Sequence, residues 1–108
     1  LDQAEKHFRN ALVLEPQNPV RMNILATFLI KHDKNISEGI ELIEKALEIR
    51  PYNYIYLHTK GHGLYKQGKY REALEVLQKS WDLRSEQAIY NHEAFLHLEE
   101  AKKAVAKL

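Results

Sequence analysis

Gly39-x3-Ile43-x2-Ala46-x4-Pro51 is the stretch on which the fold turns, because the chain repeats it. Ala4-x3-Phe8-x2-Ala11-x4-Pro16 precedes it by 35 residues, and Ala73-x3-Leu77-x2-Ser80-x4-Ser85 follows it by 34. Small, large, small and proline at fixed places, with a period in the middle thirties, mark stacked helical hairpins. Small residues stand where two helices touch, and proline stands where the chain turns back.

Working outward, residues 2–14 put Ala4, Phe8, Ala11 and Leu12 on one side at helical spacing, with Asp2, Glu5, Lys6 and Arg9 elsewhere. Glu15-Pro16-Gln17-Asn18-Pro19 ends that helix and supplies the next with an asparagine cap and a proline in its first turn. A second helix follows over 19–31, with Met22, Leu25, Ala26 and Leu29 as its apolar stripe, and a return helix over 36–49 turns Ile36, Ile40, Ile43, Ala46 and Leu47 inward. Helices over 54–66 and 70–83 repeat the unit across a turn at Gly68, whose glycine suits a left-handed terminator. From Glu86 onward Ala94, Leu98, Ala101, Val105 and Leu108 recur at alternating four and three, which predicts one long capping helix, with Ser85 as its cap. Nowhere does the period fall to two, the signature of a strand. The expectation is an all-α domain, an α-solenoid of antiparallel helical hairpins: a half repeat (1–18), two full repeats (19–53 and 54–85) and a capping helix (86–108). Leu1 opens the chain inside the second half of a repeat, so the sequence reads as the C-terminal fragment of a longer protein.

These residues resemble the tetratricopeptide repeat. The best match is Leu57-x2-Lys60-Gly61-x2-Leu64-x3-Gly68-x-Tyr70-x2-Ala73-x3-Leu77-x2-Ser80, and the unit running from Met22 to Pro51 fits with one extra residue in its turn. Lys60 stands where the family buries leucine, which predicts a packed stem with its amine in water and a looser contact between hairpins.

The resemblance implies a concave face built from the first helix of each hairpin, where an extended peptide or a helix of another protein docks. In the repeat register that face holds Val20, Asn23, Ile24, Thr27, Ile30 and Lys31, then Ile55, His58, Thr59, His62, Tyr65 and Lys66. The capping helix adds Ile89, His92, Glu93 and Leu96. A branch of the family grips terminal carboxylates with Lys, Asn and Arg; only Asn23 matches that set, the other places holding Thr27, Thr59 and His62. Carboxylate capture is therefore not expected.

Other chemistries fail on their parts. His58 and His62 share a helical face as a metal pair would, but no third ligand is near in sequence, so no metal or cofactor is expected. His92 and His97 are five apart, one more than the zinc-protease spacing, and diverge around a helix. No Gly-rich phosphate loop and no nucleophile beside a base is present, so no enzyme is expected. Sixteen basic and 15 acidic side chains leave a net charge of +1, too little field to hold a nucleic acid despite six tyrosines. No apolar run approaches membrane-spanning length, and no cysteine offers a disulfide. A soluble protein-interaction module is the expected function. The alternatives are a purely structural end-cap for a longer solenoid, or self-association through the uncovered N-terminal helix. No targeting segment is present, and the sequence assigns no compartment.

Overall fold

The computed structural model describes residues 2–86 and 91–108, with Glu86 by its backbone alone. Every element in these residues is an α-helix: α1 (Asp2–Leu14), α2 (Pro19–Lys31), α3 (Ile36–Ile49), α4 (Tyr54–Lys66), α5 (Tyr70–Glu86) and α6 (His92–Ala106). Asparagine starts four of them. The Oδ1 of Asn18 accepts from Val20 N at 2.9 Å, that of Asn35 from Glu38 N at 3.0 Å, and that of Asn53 from Ile55 N and Tyr56 N at 2.9 and 3.1 Å. Asn91 does the same for Ala94 N at 2.8 Å. Each bond satisfies an amide that the first turn leaves without an intrahelical acceptor.

The two hairpins close with the same device. Lys34 N donates to Leu29 O at 2.9 Å and Lys69 N to Leu64 O at 3.0 Å, across Asp33 (φ 53°) and Gly68 (φ 80°). This pairing spends the last carbonyls of α2 and α4 and reverses the chain through one left-handed residue. The first turn carries the additional residue read from the sequence, Asn35, and uses it as the cap of α3.

Packing follows the small-large-small pattern. Ala46 and Ser80 are sealed in the interior, with Ile43 and Leu77 beside them. One core joins Met22 and Ala26 of α2, Ile43 and Ala46 of α3 and Tyr56 of α4; further along lie Ile40, Leu64 and Ala73, and then Leu77, Leu98 and Ala101. The interior is thus a strip along the stack, each hairpin burying its face on the next. Trp81 packs into the last cluster and lies 5.9 Å from the ring of Phe95 on α6. Ala4, Phe8 and Leu12 of α1 lean on Leu25, Phe28 and Leu29 and stay only partly buried. Across the same junction Arg9 grips both carboxylate oxygens of Glu38 on α3, at 2.7 and 2.9 Å. The stem of Lys60 is largely covered, and its amine meets Glu44 of α3 at 3.5 Å, tying the two hairpins rather than loosening them.

One expectation fails at the C-terminal end. The last helix starts at His92 rather than Glu86, and Ser85 lies inside α5 instead of capping α6. With serine where the other repeats have proline, nothing stops the backbone from continuing, so α5 gains almost a turn. The caps record the delay: Asn18 to Asn53 spans 35 residues (53 − 18), Asn53 to Asn91 spans 38 (91 − 53).

Candidate partner-binding groove

The first helices of successive hairpins, α2 and α4, together with α6, border one cleft of about 210 Å³, lined by Thr27, Ile30, Lys31, His58, Thr59, His62, Glu93 and His97. Helical spacing makes this possible: Thr27 and Lys31 are four apart, as are His58 and His62, and Glu93 and His97, so each pair lies on one face.

The floor is a neutral hydrogen-bonded ladder between α2 and α4. Thr59 has one hydroxyl proton, and its shortest acceptor is Asn23 Oδ1 at 2.8 Å; the carbonyl of Ile55 lies further away at 3.2 Å. Thr27 completes the set, 3.4 Å from both the Thr59 hydroxyl and Asn23 Oδ1. The buried Thr59 hydroxyl, satisfied in this way, costs little, and the ladder links the two helices. Beyond the ladder, toward the N-terminal ends of α2 and α4, Val20, Ile24 and Ile55 remain 46, 36 and 47 % exposed. Three branched side chains open to water at one end of a polar floor form an apolar patch with hydrogen-bonding neighbours.

The opposite end is a histidine cluster. His58 Nε2 lies 2.8 Å from His97 Nδ1, and the ring of His62 is stacked on that of His97 with centroids 4.3 Å apart. Burial is the main cause that lowers both His58 and His62 to about 4 from the usual 6.5; the neighbouring His97 adds to it in each case, followed by Arg84 for His58 and Lys66 for His62. Glu93 pulls His62 weakly the other way. The two rings are neutral at physiological pH and act as hydrogen-bonding, partly apolar surface. Among the described residues no group of three His, Asp or Glu side chains could hold a metal ion. His58 and His97 turn nitrogens toward each other, while His62 lies over the face of His97, so the three rings do not aim nitrogens at a common point.

Of the sixteen residues that the repeat register puts on the concave face, Thr27, Ile30, Lys31, His58, Thr59, His62 and Glu93 border the cleft itself, and Val20, Ile24 and Ile55 are the exposed apolar residues beyond it. Asn23 lies beneath it in the ladder. Three have other placements. Lys66 binds the carbonyls of Ile30 and Lys31 at 3.0 and 3.2 Å and Asp33 at 3.1 Å, where its charge complements the C-terminus of α2. Tyr65 turns toward Tyr70, 5.3 Å away, and toward the clusters around Leu64 and Leu77. His92 is exposed in the first turn of α6, and the histidine that meets α4 is His97, more than a turn further on. Carrying the strict period past Ser85 puts His92 level with His58; the longer α5 removes that match. Glu93 borders the cleft, Leu96 is exposed, and Ile89 lies outside the described residues.

Arg84 is a further feature without a sequence signal. It is 7 % exposed, its guanidinium lies 4.5 Å over the ring of Tyr54, and its Nε has no hydrogen-bond partner among the described residues. A cation over an aromatic face recovers part of the lost hydration, and it places a positive charge behind His58.

Comparison with known proteins gives a consistent picture. No family model matches the chain. Over 100 residues it is 32 % identical to the TPR repeat-containing protein PA4667 of Pseudomonas aeruginosa, an alignment that takes in 93 % of this chain and 16 % of that protein. The chain therefore spans about a sixth of the length of the curated relative it matches. The solved structure of MamA AMB-1 (P212121) superposes with a TM-score of 0.70 at 20 % identity, covering 100 % of this chain and 71 % of the other. That likeness bears on the fold: an α-solenoid of helical hairpins.

Proposed function

We propose that this chain, which belongs to the tetratricopeptide repeat family, is a non-catalytic docking module that holds a peptide or helix of another protein in the cleft between α2, α4 and α6. Proteins of this family serve in general as protein–protein interaction modules or scaffolds. One observation carries the finer reading: Val20, Ile24 and Ile55 stay exposed beside a polar floor whose two hydroxyls are hydrogen-bonded to each other and to Asn23. A surface whose polar groups satisfy one another and whose apolar groups do not gains most from being covered. A partner segment that seats apolar side chains on these three residues and lays its backbone along Thr27 and His62 suits this arrangement.

A photo-crosslinking residue at Thr27 tests it, with Glu41, on the exposed side of α3, as the control. Partners should crosslink from Thr27 and not from Glu41, and Ile24→Asp with Ile55→Asp should abolish the capture while leaving the helical signal intact. Equal crosslinking from both positions, or capture that survives the double substitution, overturns the reading.

A second reading, self-association through α1, is favoured by Val13 and Leu14, which are 75 and 82 % exposed beside the half-covered Phe8 and Leu12.

A further inference from the structure

We infer that the His58–His62–His97 cluster is a proton-operated clasp: uptake of protons releases the N-terminal half of α6 from α4 and opens one wall of the cleft. This goes beyond the docking role and does not depend on what occupies the cleft.

The geometry comes first. A hydrogen bond between two imidazoles needs one nitrogen bearing a proton and one bare, so the 2.8 Å contact from His58 Nε2 to His97 Nδ1 accommodates at most one of the two facing nitrogens protonated. A second proton sets two N–H groups against each other. His62 is stacked on the face of His97, so charging both rings places like charges about 4.3 Å apart. Among the described residues the charged groups that face the cluster are Lys31 from α2, Lys66 from α4, Arg84 from α5 over Tyr54, and Glu93 from α6. Lys66 is already paired with Asp33, and among the described residues Glu93 is the one acid that borders the cleft. Added protons therefore meet mostly positive neighbours.

The mechanics confine the motion. His58 to His97 is the sole direct side-chain hydrogen bond between α4 and α6 among the described residues. Beyond it, α6 rests on α5 through Leu98 and Ala101 against Leu77 and Trp81 and through Phe95 beside Trp81, apolar contacts indifferent to pH. Acid thus loosens the end that bears Glu93 and His97 and spares the end that bears Ala101.

His58 and His62 hold protons at about 4 when closed and near the ordinary 6.5 when the rings are released into water. The open form takes up more protons, so the clasp is shut above pH 6.5, opens progressively as pH falls toward 4, and gains nothing further below that. At pH 5 each ring alone would favour the open form by about 30-fold. Because both rings keep some contact with water, the joint effect is taken as on the order of 100-fold rather than the full product.

Hydrogen exchange on the whole chain, from neutral pH down to about pH 4.5 and corrected for intrinsic rates, reads this directly. The amides of residues 95–98 should lose protection on the order of 100-fold relative to those of α2 and α3. The fluorescence of Trp81, the single tryptophan and a neighbour of Phe95, should change in the same window. His58→Gln, His62→Gln and His97→Asn keep amide nitrogens in place of the ring nitrogens but cannot be charged, and that triple variant should stay protected throughout. Loss of protection in the triple variant equal to the wild type, or equal loss in α2 and α3, overturns the proposal. Should the variant not fold, proton NMR of the wild-type imidazoles decides. Two rings titrating well below 6.5 in step with the α6 amides support the clasp; three rings titrating near 6.5 with no response in α6 refute it.

Discussion

Substituting Gly61 by alanine puts the packing argument to a quantitative test. A Cβ built on Gly61 would lie 2.6 Å from both Cγ and Cδ2 of Leu77. Carbon atoms in contact settle at about 3.5–4.0 Å, so Leu77 must retreat by roughly 1 Å. It has little room to do so: Leu77 is 2 % exposed, and its cluster holds Leu98 and Ala101 of α6. Overpacking of this kind costs about 1–3 kcal/mol. Alanine returns about 1 kcal/mol through its better helix propensity. The branch point of Leu77, rather than a free end, takes the clash, so the upper part of the range applies and the net loss is about 1–2 kcal/mol. In a chain of this size that lowers Tm by roughly 5–15 °C. Urea unfolding followed by far-ultraviolet circular dichroism and by Trp81 fluorescence measures it, with the slope checked for constancy. The cause is isolated in a Leu77→Ala background, itself weakened by about 2–5 kcal/mol through its cavity. There Gly61→Ala meets no obstacle and should stabilise. A Gly61→Ala protein as stable as the wild type, or a penalty that persists when Leu77 is gone, would show that the α4–α5 contact is not as close as described.

The ion pair between Arg9 and Glu38 should make a small, pH-dependent contribution: the hydrogen bonds from Arg9 are the chief cause holding the Glu38 carboxyl below its ordinary 4.5. Both side chains keep about a third or more of their surface in water, so Glu38→Gln should cost less than about 1 kcal/mol at neutral pH. A lowered carboxyl stabilises above its unfolded value and loses that contribution as it is protonated, so the wild type and Glu38→Gln should converge in urea midpoints as pH falls below the ordinary carboxylate range; a gap unchanged by acid removes the pair from the stability account. If α1 mediates self-association, sedimentation equilibrium should detect a dimer that Val13→Lys with Leu14→Glu dissociates, and a strictly monomeric wild type at high concentration rules the interface out.

The helices, their turns and most of the core were legible in the chain because their signals are local. Asparagine at a cap, proline in a first turn, glycine at a left-handed position and an apolar stripe at helical spacing each act within a few residues. Ala46 and Ser80, 34 residues apart in the repeat, duly lie in equivalent sealed positions. The register of α6 was not legible, since it depends on how far α5 continues once Ser85 replaces a proline, and a difference of three residues in cap spacing brings His97 rather than His92 to α4. Lys66 shows the same limit. Its position on the inner side of α4 was readable, but the engagement of its amine by carbonyls of α2 follows from how closely the two helix ends approach. The sequence by itself thus determined a stack of antiparallel helices and the side of it that faces inward, because periodicity and capping are properties of neighbouring residues. Only the tertiary structure decided which side chains meet across the stack: the His58–His97 pair, the Thr59–Asn23 ladder and Arg84 over Tyr54 join residues from 30 to 39 positions apart. Contacts at that separation are set by helix lengths and interhelical distances, quantities to which the whole packed core contributes and which no short stretch of residues carries.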